Sequence, residues 1–343
     1  MQLSVLDQST VVTGRAPDTS IRESLELARH VEALGYSRYW VAEHHNSDSV
    51  AGSAPEVLMA AIAATTSRIR VGSAGVMLPH YSALKVAEQF RVLEAIAPGR
   101  IDLGLGRAPG SDGMTAHALN PNAATAAALF PAQVRDLLAW LGDMPLPNGH
   151  PFRTVRAQPT GAGMPEVWVL GSSDYGAQVA AHFGLPYCFA HFITDGEGAA
   201  EAFDTYRALY QPSERHPLPH AAVCVWALAA GSEAEAARQY ASRAVWRLGR
   251  DRGVFAPLLS PDEAAAYPAS ELERERMQRS RERAIFGTGA QVAAALRRLA
   301  DQLGASEVAV LTTAHDPLVR RQSYTLLAEA SGMAAHPQAL AAE

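Results

Sequence analysis

Short apolar runs alternate with helical stripes along almost the whole chain, and that alternation restricts the fold more than any single motif does. Strand candidates lie over 3–6, 39–42, 69–72, 101–106, 167–170, 186–189, 221–229 and 308–311, each followed by a helical pattern. In the first helix Ile21, Leu25, Ala28, Val31, Ala33 and Leu34 share one face until Gly35 ends it. The remaining helices are expected over 55–66, 82–96, 123–141, 175–183, 196–210, 233–248 and 317–330. Eight strand-helix units fit a closed α/β barrel, the (β/α)8 or TIM architecture, better than an open sheet. The Pro- and Gly-rich stretch 148–163 is too short for a linker, so 1–343 is expected to be one domain. Between strands seven and eight, 249–283 reads as a long insertion that is expected to be mobile. Its charged run, ELERERMQRSRER, reads as a solvated helix face with opposite charges three and four apart.

In a barrel of this kind the chemistry sits where strands end and loops begin. Glu43, His44 and His45 follow strand two, Ser73 and Ala74 follow strand three, Arg107 follows strand four, Gly171, Ser172 and Ser173 follow strand five, and His191 follows strand six. Polar residues converging on one rim are the pattern of a bound cofactor. The strand-four end, RIDLGLGRAPGSDG, breaks from alternation into a glycine-rich loop carrying one arginine. Read alone, that loop fits either tight packing with Arg107 on a surface carboxylate or a ligand site. Gly171-Ser172-Ser173 ahead of a helix offers backbone N–H groups, hydroxyls and a helix N-terminus, which suit an anion, and Arg107 supplies the charge. The plainer alternative makes Ser172 or Ser173 an N-cap only. GLGRAPG lacks the spacing and the downstream acidic residue of a dinucleotide fingerprint. Glu43-His44-His45 lacks the i,i+4 histidine pair of a zinc protease, so no metal site is expected. His44 has an ordinary pKa near working pH and suits proton transfer. His80, Tyr81 and His191 are candidates for a substrate pocket.

Composition narrows the partners. A hydrophobic fraction of 48% over 343 residues supports a large core, and a formal net charge of -6 gives no electrostatic footprint for nucleic acid. Cys188 and Cys224 lie in apolar runs, so a reducing compartment is expected rather than a disulfide framework. The amino terminus has no basic region ahead of its apolar stretch. No apolar run approaches the roughly 20 residues of a membrane span. The expectation is a soluble, cytoplasmic protein with no membrane partner.

Residues 42–110, from AEHHNSDSVAGSAPE through GSAGVMLPHYS to RIDLGLGRAPG, closely resemble the bacterial luciferase-like family of flavin-dependent monooxygenases. VWVLGSS at 167–173 and RAIFGTGAQVAAAL at 283–296 resemble the same family's later blocks. The resemblance implies a luciferase-type barrel that binds FMN at the carboxyl ends of its strands, usually as a homodimer, here through the helices over 55–66 and 82–96. It implies reduced FMN and dioxygen as co-substrates, a C4a-peroxyflavin, a small organic substrate such as an aldehyde, and often a separate flavin reductase. Carried over by position, His44 matches the histidine that assists formation and breakdown of the peroxide. Arg107 matches the phosphate arginine, and Ser172 and Ser173, with Gly171, match the donors that close around the same phosphate. Residues 72–75 resemble the segment where the family often carries a non-proline cis peptide beneath the flavin ring, which brings in Ser73 and Ala74. Glu43 matches an acidic residue near the ring, with a structural or subunit-contact role equally open. Light-emitting members carry cysteine just before the phosphate arginine, and Gly106 here argues against luminescence. Alternatives are an F420- or nicotinamide-dependent hydride-transfer enzyme on the same barrel, a protein that only stores or senses flavin, and a phosphosugar-binding barrel.

Overall fold

The computed structural model describes residues 1–161 and 163–334. Eight strands, Gln2–Asp7, Arg38–Val41, Arg70–Ser73, Ile101–Gly106, Glu166–Gly171, Tyr187–Ala190, Ala221–Ala230 and Glu307–Leu311, pair in parallel with their neighbours in sequence. The eighth pairs with both the first and the seventh, with Leu311 opposite Leu6 on one side and Trp226 on the other, and this closes the expected barrel. Barrel closure therefore joins the first strand to the last.

Alternation along each strand divides the side chains between two cores. Leu6, Trp40, Trp168, Cys188, Cys224, Trp226 and Leu311 fill the interior, where Trp40 and Trp168 meet edge to face at 5.1 Å. Their neighbours Val5, Tyr39, Val71, Leu103, Val167, Tyr187, Val223 and Val310 point outward into a larger layer shared with the helices. The first helix, Pro17–Ala33, contributes Leu27 and Val31 to that layer, with Pro17 at its first turn where a missing N–H costs nothing.

At the amino-terminal ends of the strands the barrel is plugged by charge. Arg38 donates to Asp102 at 2.9 Å, Glu166 at 2.7 Å and Glu307 at 3.0 Å, and Trp40 Nε1 donates to Asp102 at 2.9 Å. Arg70 shares Asp102 from the other side. The guanidinium of Arg38 holds the Glu166 carboxyl below its ordinary pKa, and His220 and Arg38 do the same for Glu307.

Three departures from the pattern read in the sequence shape the cavity. The single helix expected over 123–141 is two, Ala123–Ala128 and Phe130–Leu141, because Pro131 lacks an N–H and is tolerated only in the first turn of the second. The third strand pauses at a cis Ala74-Gly75 peptide and resumes as Val76–Met77 against the fourth. The seventh unit is longer than one strand and one helix. Its helix Glu233–Arg250 crosses the barrel mouth, with Tyr240 against Trp226 and stacked on Phe286. The chain then makes two short helices, Pro261–Ala265 and Glu271–Arg283, and an added strand, Ile285–Thr288, beside the seventh. Helix Gly289–Leu303, packed on Pro317–Ala330, completes the outer ring. The charged helix Glu271–Arg283 buries none of its residues, as its composition implies.

Candidate active site

One cavity of about 690 Å³ opens at the carboxyl ends of the strands, within the roughly 300–1,000 Å³ usual for small-molecule sites. Its floor is made by strand three. A Cβ on Gly75 would lie 2.8 Å from the Gly104 carbonyl oxygen, and one on Gly104 only 2.1 Å from that of Ser73. Strands three and four therefore approach closely, and the backbone of Ala74 and Gly75 lines the cavity. The segment expected to hold a cis peptide does hold one. Ser73 itself is buried between the two strands, where its hydroxyl donates to the Gly104 carbonyl and accepts from the Gly104 N–H, both at 3.0 Å. It supports the floor from behind and does not line it.

On one side stands an anion cradle. Gly106, Arg107, Gly171, Ser172 and Ser173 all line the cavity. Arg107 makes no ion pair among the described residues, and its guanidinium lies over the Tyr175 ring at 4.0 Å from the centroid. Ser173 occupies the N-cap of helix Asp174–His182, yet its hydroxyl makes no capping hydrogen bond. The N-terminal N–H groups of that helix and an uncommitted cation thus face one space, which fits a terminal phosphate. The glycine-rich loop is shaped to allow this. Gly110 has φ +59°, and a Cβ there would press on the Glu43 carbonyl and Met77. Its carbonyl accepts from the His45 N–H at 3.1 Å. Asp112 then caps the next short helix and holds Asn46 at 3.0 Å.

His44 faces the cavity from the end of strand two. Its Nδ1 is buried with no hydrogen-bond partner among the described residues. Burial, with His45 beside it, pushes its pKa down to about 4, so the ring is neutral at working pH. An orphaned buried nitrogen on a neutral imidazole is the strongest sign here of a group waiting for a ligand or a proton. Glu43 does not line the cavity. Its carboxylate accepts from Tyr81 at 2.7 Å and the Met77 N–H at 3.0 Å, and lies 2.8 Å from His45 Nε2. It fixes the loop that carries His44 and belongs to the support of the site.

The other pocket candidates also stand behind the wall. His80 bonds the Pro109 carbonyl at 2.7 Å and packs on His45 and Tyr81, tying the glycine-rich loop down. His191 lies outside the cavity with its ring against Gly196. Sequence reading missed the opposite wall, where Phe192, Ile193, Trp246, Arg250 and Phe255 line the cavity. Trp246 and Arg250 are four apart on a helix whose apolar stripe was legible. The signal lay in those two large residues sharing one helical face near its carboxyl end.

Comparison with known proteins agrees with this geometry. The family model for luciferase-like monooxygenases matches residues 1–332. The chain is 38% identical to a luciferase-like monooxygenase of Escherichia coli, covering 94% of this chain and 95% of that one. It is 35% identical to the N-acetyl-S-alkylcysteine monooxygenase of Bacillus subtilis, covering 96% and 98%. Among solved structures, apo-MsnO8 superposes with a TM-score of 0.86 at 39% identity, covering 98% of each chain. With a family model matched nearly from end to end and full-length relatives well above 30% identity, the chain belongs to the luciferase-like monooxygenase family.

Proposed function

We propose that the protein is a flavin-dependent monooxygenase that uses reduced FMN and dioxygen to place one oxygen atom on a small organic substrate. The observation that carries this is one cavity joining an uncommitted phosphate cradle, Arg107 with Ser172 and Ser173, to the orphaned neutral imidazole of His44. Reduced flavin supplies the oxygen activation. The chain's own residues do the rest. Arg107 and the helix N-terminus at Ser173 hold the phosphate, and Ala74 and Gly75 form a backbone surface for the ring. His44 gives and takes one proton, and the apolar wall excludes water. Glu43 keeps His45 and the strand-two loop in place. An aldehyde and a thioether are both substrate classes to test, the second because a relative is named for an S-alkylcysteine. The chain carries no dinucleotide fingerprint, which fits reduced flavin supplied by a separate cytoplasmic reductase. Exposed Val57 on one early helix, with Val92 and Ile96 on the next, fits a homodimer through those helices.

Anaerobic titration of reduced FMN tests the reading. Wild type is expected to bind it, and Arg107→Ala to weaken binding roughly 10- to 100-fold, as loss of charge-assisted bonds of about 1.5–3 kcal/mol requires. Admission of oxygen with substrate is then expected to yield an oxygenated product. Failure to bind reduced FMN, with binding of F420 instead, transfers the protein to hydride transfer.

The insertion is the lid in this reading. Gly253 and Phe255 line the cavity, while Leu258 is clamped by backbone bonds to Val11 and Thr13. Between helix and clamp lie 251–257, of which 251–254 turn back on the helix end through backbone bonds and 255–257 make no backbone–backbone bond among the described residues. Replacing 252–257 with a glycine-serine linker is expected to leave reduced-FMN affinity within twofold and to raise hydrogen peroxide released per flavin oxidised. Unchanged coupling of oxygen to product removes the lid role.

A further inference from the structure

Helix Glu233–Arg250 places Arg243, Trp246, Arg247 and Arg250 on one face at the barrel mouth. Three cations there meet two carboxylates, and the pairing is uneven. Arg247 takes both, Asp195 at 3.1 Å and Asp251 at 3.2 Å, together with the carbonyls of Phe192 and Ile193. Arg243 lies over the Trp226 ring at 4.3 Å and makes no ion pair among the described residues. Arg250 donates to the Ile193 carbonyl at 2.8 Å and lies 3.9 Å from Asp251, beyond hydrogen-bond range. Burial and the neighbouring Arg247 lower the pKa of both, that of Arg243 to about 9. The cluster is short of one negative charge.

Of the three arginines only Arg250 lines the cavity, and it does so together with Trp246. The indole Nε1 of Trp246 is buried with no hydrogen-bond partner among the described residues. A buried unpaired donor is costly unless something accepts from it. Phe192, Ile193 and Phe255 complete the surroundings with apolar surface. We infer that Arg250 and Trp246 form a carboxylate-binding subsite, so that the substrate of this cavity is an organic anion with an apolar body. The cation supplies a directed fork, and the indole Nε1, which is not exposed to the cavity in this conformation, adds one further donor once the ring turns toward the bound group, while the apolar wall receives the chain attached to it. This rests on the monooxygenase reading only in placing the substrate in this cavity. It does not require turnover.

The test is binding of octanoate against octanamide, which match in length and differ in charge, followed by calorimetry with and without saturating FMN. Wild type is expected to prefer octanoate at least 10-fold. Arg250→Met is expected to abolish the preference while leaving octanamide binding unchanged, and Arg250→Lys to keep part of it. Trp246→Phe, which removes the donor and keeps the ring, is expected to cost octanoate 3- to 10-fold. Reduced-FMN affinity, titrated separately, is expected to stay within twofold in Arg250→Met. Equal binding of the two probes by wild type, or a preference that survives Arg250→Met, overturns the subsite. Loss of FMN affinity in Arg250→Met, with octanoate binding intact, overturns it in favour of a phosphate role and leaves the monooxygenase reading standing.

Discussion

Replacing His44 by Gln is expected to lower the rate of product formation by about 10²- to 10⁴-fold, the range for loss of a positioned proton-transfer group. Reduced-FMN affinity is expected to change less than threefold, because the phosphate cradle lies on strands four and five and His44 on strand two. Single-turnover product yield, measured beside flavin oxidation, separates the two: oxidation continues in the variant while product falls and hydrogen peroxide rises. Gln keeps a polar group of similar reach, so a loss with Gln reports the missing proton exchange rather than an emptied space. Equal product yield in wild type and variant would sink the role assigned to this imidazole.

The pH profile follows from the same ring. Burial holds its pKa near 4 in the folded protein against about 6.5 unfolded, so the unfolded chain binds the extra proton first as pH falls. The neutral ring's contribution to stability is therefore complete above about pH 6.5 and is lost as pH falls toward 4. His44-dependent activity is correspondingly flat from about pH 5.5 upward and declines below it, and His44→Gln lacks that acidic limb.

The barrel was legible because each strand is a brief apolar run closed by a turn residue or a charge, and eight such runs leave little choice of architecture. Strand ends were legible for the same reason, which is why Ala74, Arg107, Gly171, Ser172, Ser173 and His44 reached one cavity. What a sequence position does not reveal is which way its side chain turns. Glu43 and Ser73 stand beside cavity residues and face away, one holding Tyr81 and His45, the other bridging Gly104. The 285–303 segment was hidden behind the charged run. Its signals were nonetheless present: Thr288 and Gln291 form a capping box, Val292, Leu296, Ala300 and Leu303 make a stripe, and Gly304 ends it with φ +62°. The crossing of helix Glu233–Arg250 over the mouth had no local signal, because it is decided by Tyr240 finding Trp226 and Phe286.

At the other end of the barrel, Arg38→Ala is expected to destabilise the protein by about 3–5 kcal/mol, the usual cost of stranding buried charge. Arg38 touches Asp102, Glu166 and Glu307, which come from three different strands, and the fully buried Asp102 and Glu307 have no water to replace it, while Glu166 is partly exposed. Arg70 still reaches Asp102 and lies 3.4 Å from Glu166. Glu307 would keep Ser4 and a histidine 3.6 Å away, and so would carry most of the loss. The ion pairs hold Glu166 and Glu307 below their ordinary pKa, so their stabilisation is present above about pH 4.3 and is lost as pH falls through the lowered values. Urea unfolding of wild type and variant should therefore differ most near neutrality and converge in acid, with the denaturant slope unchanged. A gap that stays constant down to pH 3 would mean that Arg38 acts through packing on Trp168, over which its guanidinium lies at 4.9 Å, rather than through charge.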